Sequence, residues 1–256
     1  MEIIQSTKNE RIKQLRKLQM KKEREATGTY LIEGFHLVEE ALKQDGLVQE
    51  LLALPEIDLQ EAPFDQATKI TRISREVAHF ISETKSEQGI FAVVKMTEPS
   101  IMMLNGKKLL LVDRVQDPGN IGTLIRTADA AGYDAVVLGA GSADLYNPKV
   151  IRSAQGSHFH LPVLSGNLHE WVEQLKEEDV PVYGAILDQE ARSFEELPKQ
   201  TTLALMVGNE GQGIDPELIR KVTAGVYIPI YGASESLNVG VAAGILMYGL
   251  AKYEKI

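Results

Sequence analysis

Residues 203–214, LALMVGNEGQGI, decide the fold class of this chain. The uninterrupted apolar run 203–207 predicts a strand that is buried on both faces of its sheet. Three glycines follow within the next six residues, and Asp215-Pro216 then opens a predicted helix. A buried strand that leads through a glycine-rich loop into a helix is how α/β proteins build ligand sites at the carboxyl edge of a sheet. We therefore expect an α/β fold with a small-molecule site at this loop.

The glycine loop also limits the kind of ligand. It lacks the Gly-Lys-Ser/Thr ending of a P-loop, and its G-x-x-G-x-G order is not the dinucleotide fingerprint. It carries the acid Glu210 and neither lysine nor arginine. We therefore expect a ligand without a polyphosphate.

Length and composition exclude several classes of protein. A chain of 256 residues with 44% hydrophobic and 25% charged residues is typical of one or two soluble globular domains. The absence of cysteine excludes disulfides, thiolate nucleophiles and cysteine zinc sites. The first 14 residues lack the apolar core of a signal peptide, and the uncharged stretch 236–251 is short and rich in glycine. We expect a cytoplasmic protein without a membrane segment.

The charge of the chain is unevenly distributed. The net charge is −9, yet residues 1–30 hold eight basic residues against four acids, which leaves +4 there and −13 elsewhere. A local basic face on an acidic protein is compatible with RNA contact, because phosphate binding depends on the local field. A solvated helix face is an equally good interpretation of the charges alone.

Strands alternate with helices in two stretches of the chain. A capping-box pattern at residues 7–10 predicts a basic amphipathic helix over about 8–25. Hydrophobic periodicity is lost over 95–107, and residues 55–66 also show no pattern that predicts a helix or a strand. We expect a small α/β domain over 1–98, a linker over 99–107, and a second α/β domain with a mostly parallel sheet over 108–256.

Three loops of the second domain follow predicted strands, at 113–126, 208–213 and 228–240. Because the carboxyl ends of parallel strands meet at one edge of a sheet, these loops are expected to form one pocket. Asn120 is a predicted helix cap, Arg126 lies beside an apolar helix face, and Ser236 or Asn238 can cap the last helix. Taken singly, each of these residues has an ordinary structural explanation.

Together, the loops closely resemble the three motifs of the SpoU (TrmH-like) RNA 2′-O-ribose methyltransferases, within the SPOUT class. The matching residues are the Asn120 and Arg126 pair, Glu210 in the glycine loop, and Ser236-Leu237-Asn238 before a helix. The segment NPKVIRSAQGSHFHLPV between the first two motifs is also similar, so the resemblance spans 108–256. The N-terminal stretch LIEGFHLVEEAL resembles, more weakly, the ribosomal-protein-like substrate-binding domain of many members.

The resemblance implies a fold, a cofactor and an assembly. It implies an N-terminal α/β ribosomal-protein-like RNA-binding domain and a C-terminal α/β sheet threaded into a trefoil knot. It further implies a homodimer formed through the knot region. S-adenosylmethionine is the implied cofactor, and a sulfonium without phosphate suits an acidic loop that lacks lysine. The implied cofactor-binding residues are Gly208, Asn209, Gly211, Ile228, Ile230 and Leu237.

The resemblance also implies methyl transfer from sulfur to a ribose 2′-oxygen. The implied catalytic residues are Arg126, Asn120, Glu210, Ser236 and Asn238. Lowering the pKa of an arginine from about 13 to about 7 costs roughly 8 kcal/mol, so we expect Arg126 to be a cation that stabilises the alkoxide and orients a phosphate. Ser236 and Asn238 would position ribose or cofactor. Asn120 would hold the loop of Arg126, and Glu210 would order the glycine loop.

The expected partner is RNA, with ribosomal (23S-type) RNA favoured by the N-terminal domain. The expected RNA-binding residues are Lys8, Arg11, Lys13, Arg16, Lys17 and Arg152. No metal is expected, because His158 and His160 would alternate along a strand without a third ligand. The alternatives are a transfer-RNA 2′-O-methyltransferase and an RNA-binding or ribosome assembly factor with a vestigial pocket. A nucleotide-dependent α/β enzyme of another type is disfavoured, because the phosphate loop is missing.

Overall fold

A computed structural model describes residues 3–59, 68–84, 86–99, 106–188 and 190–253. The chain divides into two compact units. The first consists of Met1–Thr97 and Tyr146–Phe159, and the second of Glu98–Leu145 and His160–Ile256. Each unit contains one sheet.

The first unit is a mixed sheet with helices packed against it. Its strands are β1 (Ile3–Ile4), β2 (Thr29–Glu33), β3 (Val48–Ala53), β4 (Lys69–Ile73) and β5 (Ile90–Lys95). Its first four helices are α1 (Glu10–Lys17), α2 (Lys21–Thr27), α3 (Phe35–Leu42) and α4 (Arg75–Ile81). The strand order is β1-β4-β3-β5-β2, and β5 runs antiparallel to both of its neighbours. Apolar side chains of α1 and α4 pack against β3, β4 and β5 to form the core.

The basic N-terminal helix differs from the prediction, because it is two helices that are separated at residues 18–20. Asn9, rather than Thr7, caps α1 by accepting a hydrogen bond from the Arg11 N–H. The buried Arg24 explains the break, since its Nη1 donates to the carbonyls of Leu18 and Gln19 at 2.8 Å each. These carbonyls lie just beyond the end of α1, where they lack partners within the helix. The unpatterned stretch 55–66 lies partly outside the described residues.

The second unit is built on a seven-stranded parallel sheet. Its strands are β6 (Lys108–Val112), β7 (Ala135–Gly139), β8 (Val163–Gly166), β9 (Val182–Ala185), β10 (Arg192–Ser193), β11 (Leu203–Val207) and β12 (Ala224–Tyr227). The helices that follow α4 in the chain are α5 (Pro118–Ala130), α6 (Pro148–Ala154), α7 (Leu168–Glu177), α8 (Pro216–Ile219) and α9 (Val239–Leu250). The strand order is β10-β12-β9-β11-β6-β7-β8. All five residues of β11 are buried between β9 and β6, which confirms the strand predicted at 203–207.

Helix α6 and the residues around it belong to the first unit, although the predicted boundary at 108 groups them with the second domain. The Tyr146 hydroxyl accepts from the Thr97 N–H and donates to its carbonyl, each at 2.9 Å. The Tyr30 ring lies 4.7 Å from the Tyr146 ring, and its hydroxyl is 3.1 Å from His158 Nε2. His158 lies in a 3₁₀ turn rather than in the predicted strand, because β8 begins only at Val163.

Helices α5 and α9 pack closely through small residues. A side chain at Gly240 would place its Cβ 2.8 Å from Thr123 Cγ2, and one at Gly244 would meet Thr127 at 3.3 Å. Of the two predicted caps of the last helix, Ser236 and Asn238, it is Asn238 that caps α9, which begins at Val239. Across the described ranges, no helix has the length and apolarity that a bilayer crossing requires.

Candidate active site

One chain of side-chain hydrogen bonds joins the three loops that the sequence singles out. Asn120 Nδ2, in the first turn of α5, donates to Glu210 Oε1 in the glycine loop at 3.0 Å. Asn238 Nδ2, in the loop after β12, donates to Asn120 Oδ1 at 2.9 Å. The structure therefore brings together five of the six motif residues that the sequence marks, counting Ser236 and Leu237, which precede Asn238 in the same loop and line the same cleft.

Asn120 is free for this role because it is not the helix cap that the sequence predicts. Asp117 caps α5 instead, by accepting the N–H of Asn120 at 3.0 Å. Both residue types are good caps, so local pattern alone does not choose between them. The side-chain amide of Asn120 can therefore donate to Glu210 and accept from Asn238, which lie in two different loops.

The Glu210 carboxylate is held by the loop after β6. In addition to Asn120, it accepts the N–H groups of Asp117 at 3.3 Å and Gln116 at 3.4 Å. Partial burial works to raise the pKa of Glu210. The hydrogen bonds from Asn120 and from the backbone of residues 210, 117 and 116 outweigh that effect and lower it. Glu210 is therefore an anion at neutral pH.

The glycine loop closes on itself. Asn209 and Gly213 exchange backbone hydrogen bonds at 2.9 and 3.1 Å, and Asn209 Oδ1 accepts the N–H groups of Gly211 and Gln212 at 3.0 Å each. A Cβ on Gly208 would collide with the Ile214 nitrogen and the Gly213 carbonyl, which are backbone atoms. Position 208 therefore accepts only glycine without a shift of the loop.

The buried carboxylate of Asp113 holds residues on both sides of the glycine loop in place, although nothing in the sequence singles it out. Asp113, directly after β6, receives Nε and Nη2 of Arg114 at 3.1 and 3.0 Å and the N–H of Asp215 at 2.8 Å. Hydrogen bonding to Asp113 raises the pKa of Arg114. Arg114 has a φ of 53°, and its carbonyl accepts Asn209 Nδ2 at 2.8 Å. The only sequence signal for this support is an acid at the end of a buried strand.

A cleft of about 640 Å³ lies between the glycine loop, the exits of β9 and β12, and α9. This volume is typical of small-molecule sites. All six predicted cofactor-binding residues line the cleft, as do Glu210, Ser236 and Asn238. The cleft is also lined by residues that the sequence does not mark as cofactor-binding, among them Ile186 and Leu187 after β9 and Ala242 and Leu246 on α9. Among the described lining residues, Glu210 is the only charged side chain.

Arg126 lies outside this cleft. Its neighbours Leu124, Ile125 and Ala128 are buried, as predicted, but its own side chain is exposed on α5. Within the described chain the Arg126 side chain makes no hydrogen bond or ion pair, and it does not line the cleft. One chain alone therefore does not bring the predicted catalytic cation to the predicted cofactor site.

The predicted RNA-binding residues of the first unit fall into two groups. Lys8, Lys13 and Lys17 are exposed. The arginines bind protein groups: Arg11 pairs with buried Glu50, Arg16 donates to the Ser82 carbonyl at 3.0 Å, and Arg152 lies 3.5 Å from Glu83. In the described ranges, no three acidic or histidine side chains are grouped so as to hold a metal ion.

Comparison with known proteins identifies the family. The model of the SpoU rRNA methylase family matches residues 107–248, which include all three loops. The chain belongs to that family. A second model, the MRM3-like substrate binding domain, matches residues 9–92.

Members of the SpoU family resemble the chain over its whole length. It is 50% identical to the 23S rRNA (guanosine(2553)-2′-O)-methyltransferase RlmP of Bacillus subtilis, over 98% of this chain and 99% of that protein. An AdoMet-bound rRNA methyltransferase from Sinorhizobium meliloti superimposes with a TM-score of 0.88 at 28% identity, covering 97% of both chains. A TrmH-family protein from Porphyromonas gingivalis gives 0.85 at 33% identity, covering 95% of this chain and 97% of that one. The predicted family, α/β fold, enzyme class and cofactor, those of an S-adenosylmethionine-dependent RNA methyltransferase, are confirmed.

Proposed function

We propose that this protein methylates the ribose 2′-hydroxyl of one guanosine in 23S ribosomal RNA, the reaction that the Bacillus subtilis relative is named for. The observation that carries the proposal is the hydrogen-bonded series Glu210–Asn120–Asn238 at the rim of the cleft. These hydrogen bonds fix the positions of the three family motifs relative to one another. The chain that carries them is 50% identical to the Bacillus subtilis relative over 98% of its length.

The cleft suits S-adenosylmethionine. Its described lining contains apolar side chains, the backbone of the glycine loop and no basic residue, whereas a phosphate-bearing cofactor would call for positive charge. The single anion, Glu210, favours a cationic ligand. The missing side chain at Gly208 leaves room for the loop to fold tightly beneath the ligand. The bound cofactor supplies a methyl group on a positively charged sulfur.

The residues of this chain align the acceptor and stabilise its charge. Ser236 and Asn238 line the cleft at the end that α9 and the third loop share, where they position the ribose. The 2′-oxygen would form the new bond to the methyl carbon as the sulfur–carbon bond breaks. The sulfur would leave as a neutral thioether, and the 2′-proton would pass to solvent water. Arg126 stabilises the developing negative charge on that oxygen, since a guanidinium remains a cation at neutral pH.

Arg126 reaches a cofactor site through a homodimer. Helix α9 exposes Val241, Ile245 and Tyr248 by 53%, 38% and 50%, and their spacing places them on one helix face. A second copy of this chain covers that face, so that Arg126 of one subunit completes the cleft of the other. Threading of the C-terminal region into a trefoil knot is part of the same proposal.

The N-terminal region holds the RNA. The exposed Lys8, Lys13 and Lys17 contact phosphates, while Arg11, Arg16 and Arg152 chiefly hold the fold through their protein partners. We place RNA binding in the first unit, in which residues 146–159 join the predicted domain 1–98. The remainder of the predicted domain 108–256, which follows the linker 99–107, carries methyl transfer. The setting is the cytoplasm, where ribosomal RNA is made and modified.

Incubation with S-adenosylmethionine and unmodified transcripts tests the proposal. Purified protein should methylate one guanosine ribose of a 23S rRNA transcript and leave transfer-RNA transcripts unmodified. Methylation of transfer RNA alone would favour the transfer-RNA alternative. Cofactor binding without methylation of either RNA would favour an assembly factor.

A further inference from the structure

Tyr231 lies in the third loop, between Ile230 and Ser236, which both line the cleft. Its side chain is 90% exposed, more than any other large apolar or aromatic residue in the described part of the chain. Next comes Leu187 at 68%, and Leu187 also borders the cleft. The two most exposed large apolar side chains therefore both lie at this site.

The fold gives no reason for this exposure. Residues 231–238 are all exposed, so the loop projects into solvent. Within the described ranges, the Tyr231 ring contacts no other ring and its hydroxyl makes no hydrogen bond. Tyr231 does not line the cleft, so it is not needed to hold a ligand there. An aromatic ring left in water contributes little to folding, whereas it offers a flat apolar surface for binding.

The charges around the loop identify the kind of contact that it offers. Among the described residues of one chain, the lining of the cleft has no basic residue, and Glu235 is the only charged residue in 231–238. The loop itself therefore offers no positive charge to a phosphate. RNA bases that are not paired are bound instead by stacking on aromatic rings, which requires no positive charge.

We propose that Tyr231 stacks on an unpaired base of the RNA substrate and so positions the neighbouring ribose at the cleft. The inference rests on the proposed function and adds a residue that holds the acceptor nucleotide. In-line methyl transfer requires the 2′-oxygen to stay aligned with the methyl group, and a stacked base restricts rotation of its nucleotide. Tyr231 acts through this positioning and not on the reacting atoms.

Steady-state kinetics of Tyr231 variants on an unmodified 23S rRNA transcript test the inference. Tyr231→Ala and Tyr231→Leu should lower kcat/KM for RNA by roughly five- to 150-fold, the loss expected for one base–aromatic stack. Tyr231→Leu is the matched control for apolar area, because it keeps an apolar side chain but lacks a ring. Tyr231→Phe should retain activity, and all variants should bind S-adenosylmethionine with the wild-type Kd.

Fluorescence supplies a second readout. Wild-type protein contains one tryptophan, so Tyr231→Trp adds a reporter that can be compared directly with wild type. Addition of the transcript should quench the new emission, while addition of S-adenosylmethionine alone should not.

Three outcomes would overturn the inference. Wild-type kcat/KM in both Tyr231→Ala and Tyr231→Leu would exclude stacking at this residue. Conversion of Tyr231→Ala to a monomer would make Tyr231 a subunit contact instead. Failure of the wild-type protein to methylate the transcript would overturn the proposed function, and the inference with it.

Discussion

Asn238 Nδ2 donates a hydrogen bond to Asn120 Oδ1 at 2.9 Å, although 118 residues separate the two asparagines in the chain. The other end of the Asn120 amide donates to Glu210. One amide thus joins the first turn of α5 to the loops after β11 and β12. Only a side chain that both donates and accepts can fill this position.

Replacing Asn120 by aspartate tests this dual role. The new carboxylate cannot donate to Glu210 and would place a second negative charge about 3 Å from it. We expect Asn120→Asp to lower kcat/KM for S-adenosylmethionine roughly five- to 150-fold, the cost of an unpaired polar contact. Asn167→Asp, which changes the cap of α7, is the control and should leave the kinetics unchanged. Wild-type kinetics in Asn120→Asp would show that the bridge is dispensable.

The stability contributed by Glu210 should depend on pH. Because the folded protein lowers the pKa of this carboxyl below its ordinary value of 4.5, the contribution is present above that value and is lost as pH falls through the lowered pKa. Urea unfolding of wild type and Glu210→Gln should therefore show a wild-type advantage at pH 7 that shrinks below pH 4.5. A difference that does not change with pH would contradict an ionised role for Glu210.

Gly208 and Gly232 form a matched pair of glycines for a test of the loop. A Cβ at Gly208 would strike backbone atoms, whereas a Cβ at Gly232 would meet nothing within 4 Å. We expect Gly208→Ala to weaken S-adenosylmethionine binding at least tenfold and to lower the free energy of unfolding by about 1–3 kcal/mol. Isothermal titration and urea unfolding measure the two effects. Equal behaviour of Gly208→Ala and Gly232→Ala would refute the tight-loop account.

Much of the fold was predictable because its signals are local. The apolar run of β11 and the glycines of the cleft each occupy a few adjacent residues. The choice of cap at α5 was not predictable, since Asp117 and Asn120 are equally good caps. The break after α1 was also missed, because it depends on the buried side chain of Arg24, six residues further along.

Contacts that join distant parts of the chain have no sequence signature of this kind. The grouping of Tyr146–Phe159 with the first unit depends on Tyr30 and Thr97, far away in sequence. The position of Arg126 is a second example. The buried neighbours of Arg126 were predicted correctly, yet helical periodicity does not tell whether an exposed side chain faces its own cleft.

Removal of the Arg126 side chain should strongly reduce turnover without weakening the binding of S-adenosylmethionine. We expect Arg126→Ala to lower kcat by about 10²–10³-fold, the usual cost of losing a group that stabilises a developing oxyanion. The Kd for S-adenosylmethionine should stay at the wild-type value, because the proposed role of Arg126 is to stabilise charge on the ribose oxygen and not to hold the cofactor. Arg220→Ala, at an exposed arginine on the same unit, is the control. Retained turnover in Arg126→Ala would remove Arg126 from the mechanism.

Mixed dimers test whether Arg126 acts across the dimer. Dimers with one Arg126→Ala subunit and one Gly208→Ala subunit contain one cleft with an intact cofactor loop and a partner that carries Arg126. At an S-adenosylmethionine concentration too low to load the Gly208→Ala cleft, we expect these mixed dimers to incorporate more methyl into the transcript than either parent dimer. Absence of recovery would place Arg126 in the site of its own subunit.

A map of ribose methylation on 23S rRNA tests the central claim most directly. Ribosomal RNA is compared from cells that contain the protein, cells that lack it, and deleted cells that express either wild type or Arg126→Ala. We expect that one guanosine lacks its 2′-O-methyl group in cells without the protein. Expression of the wild-type protein should restore the methyl group, and expression of Arg126→Ala should not. A 23S rRNA map that is identical with and without the protein would contradict the account.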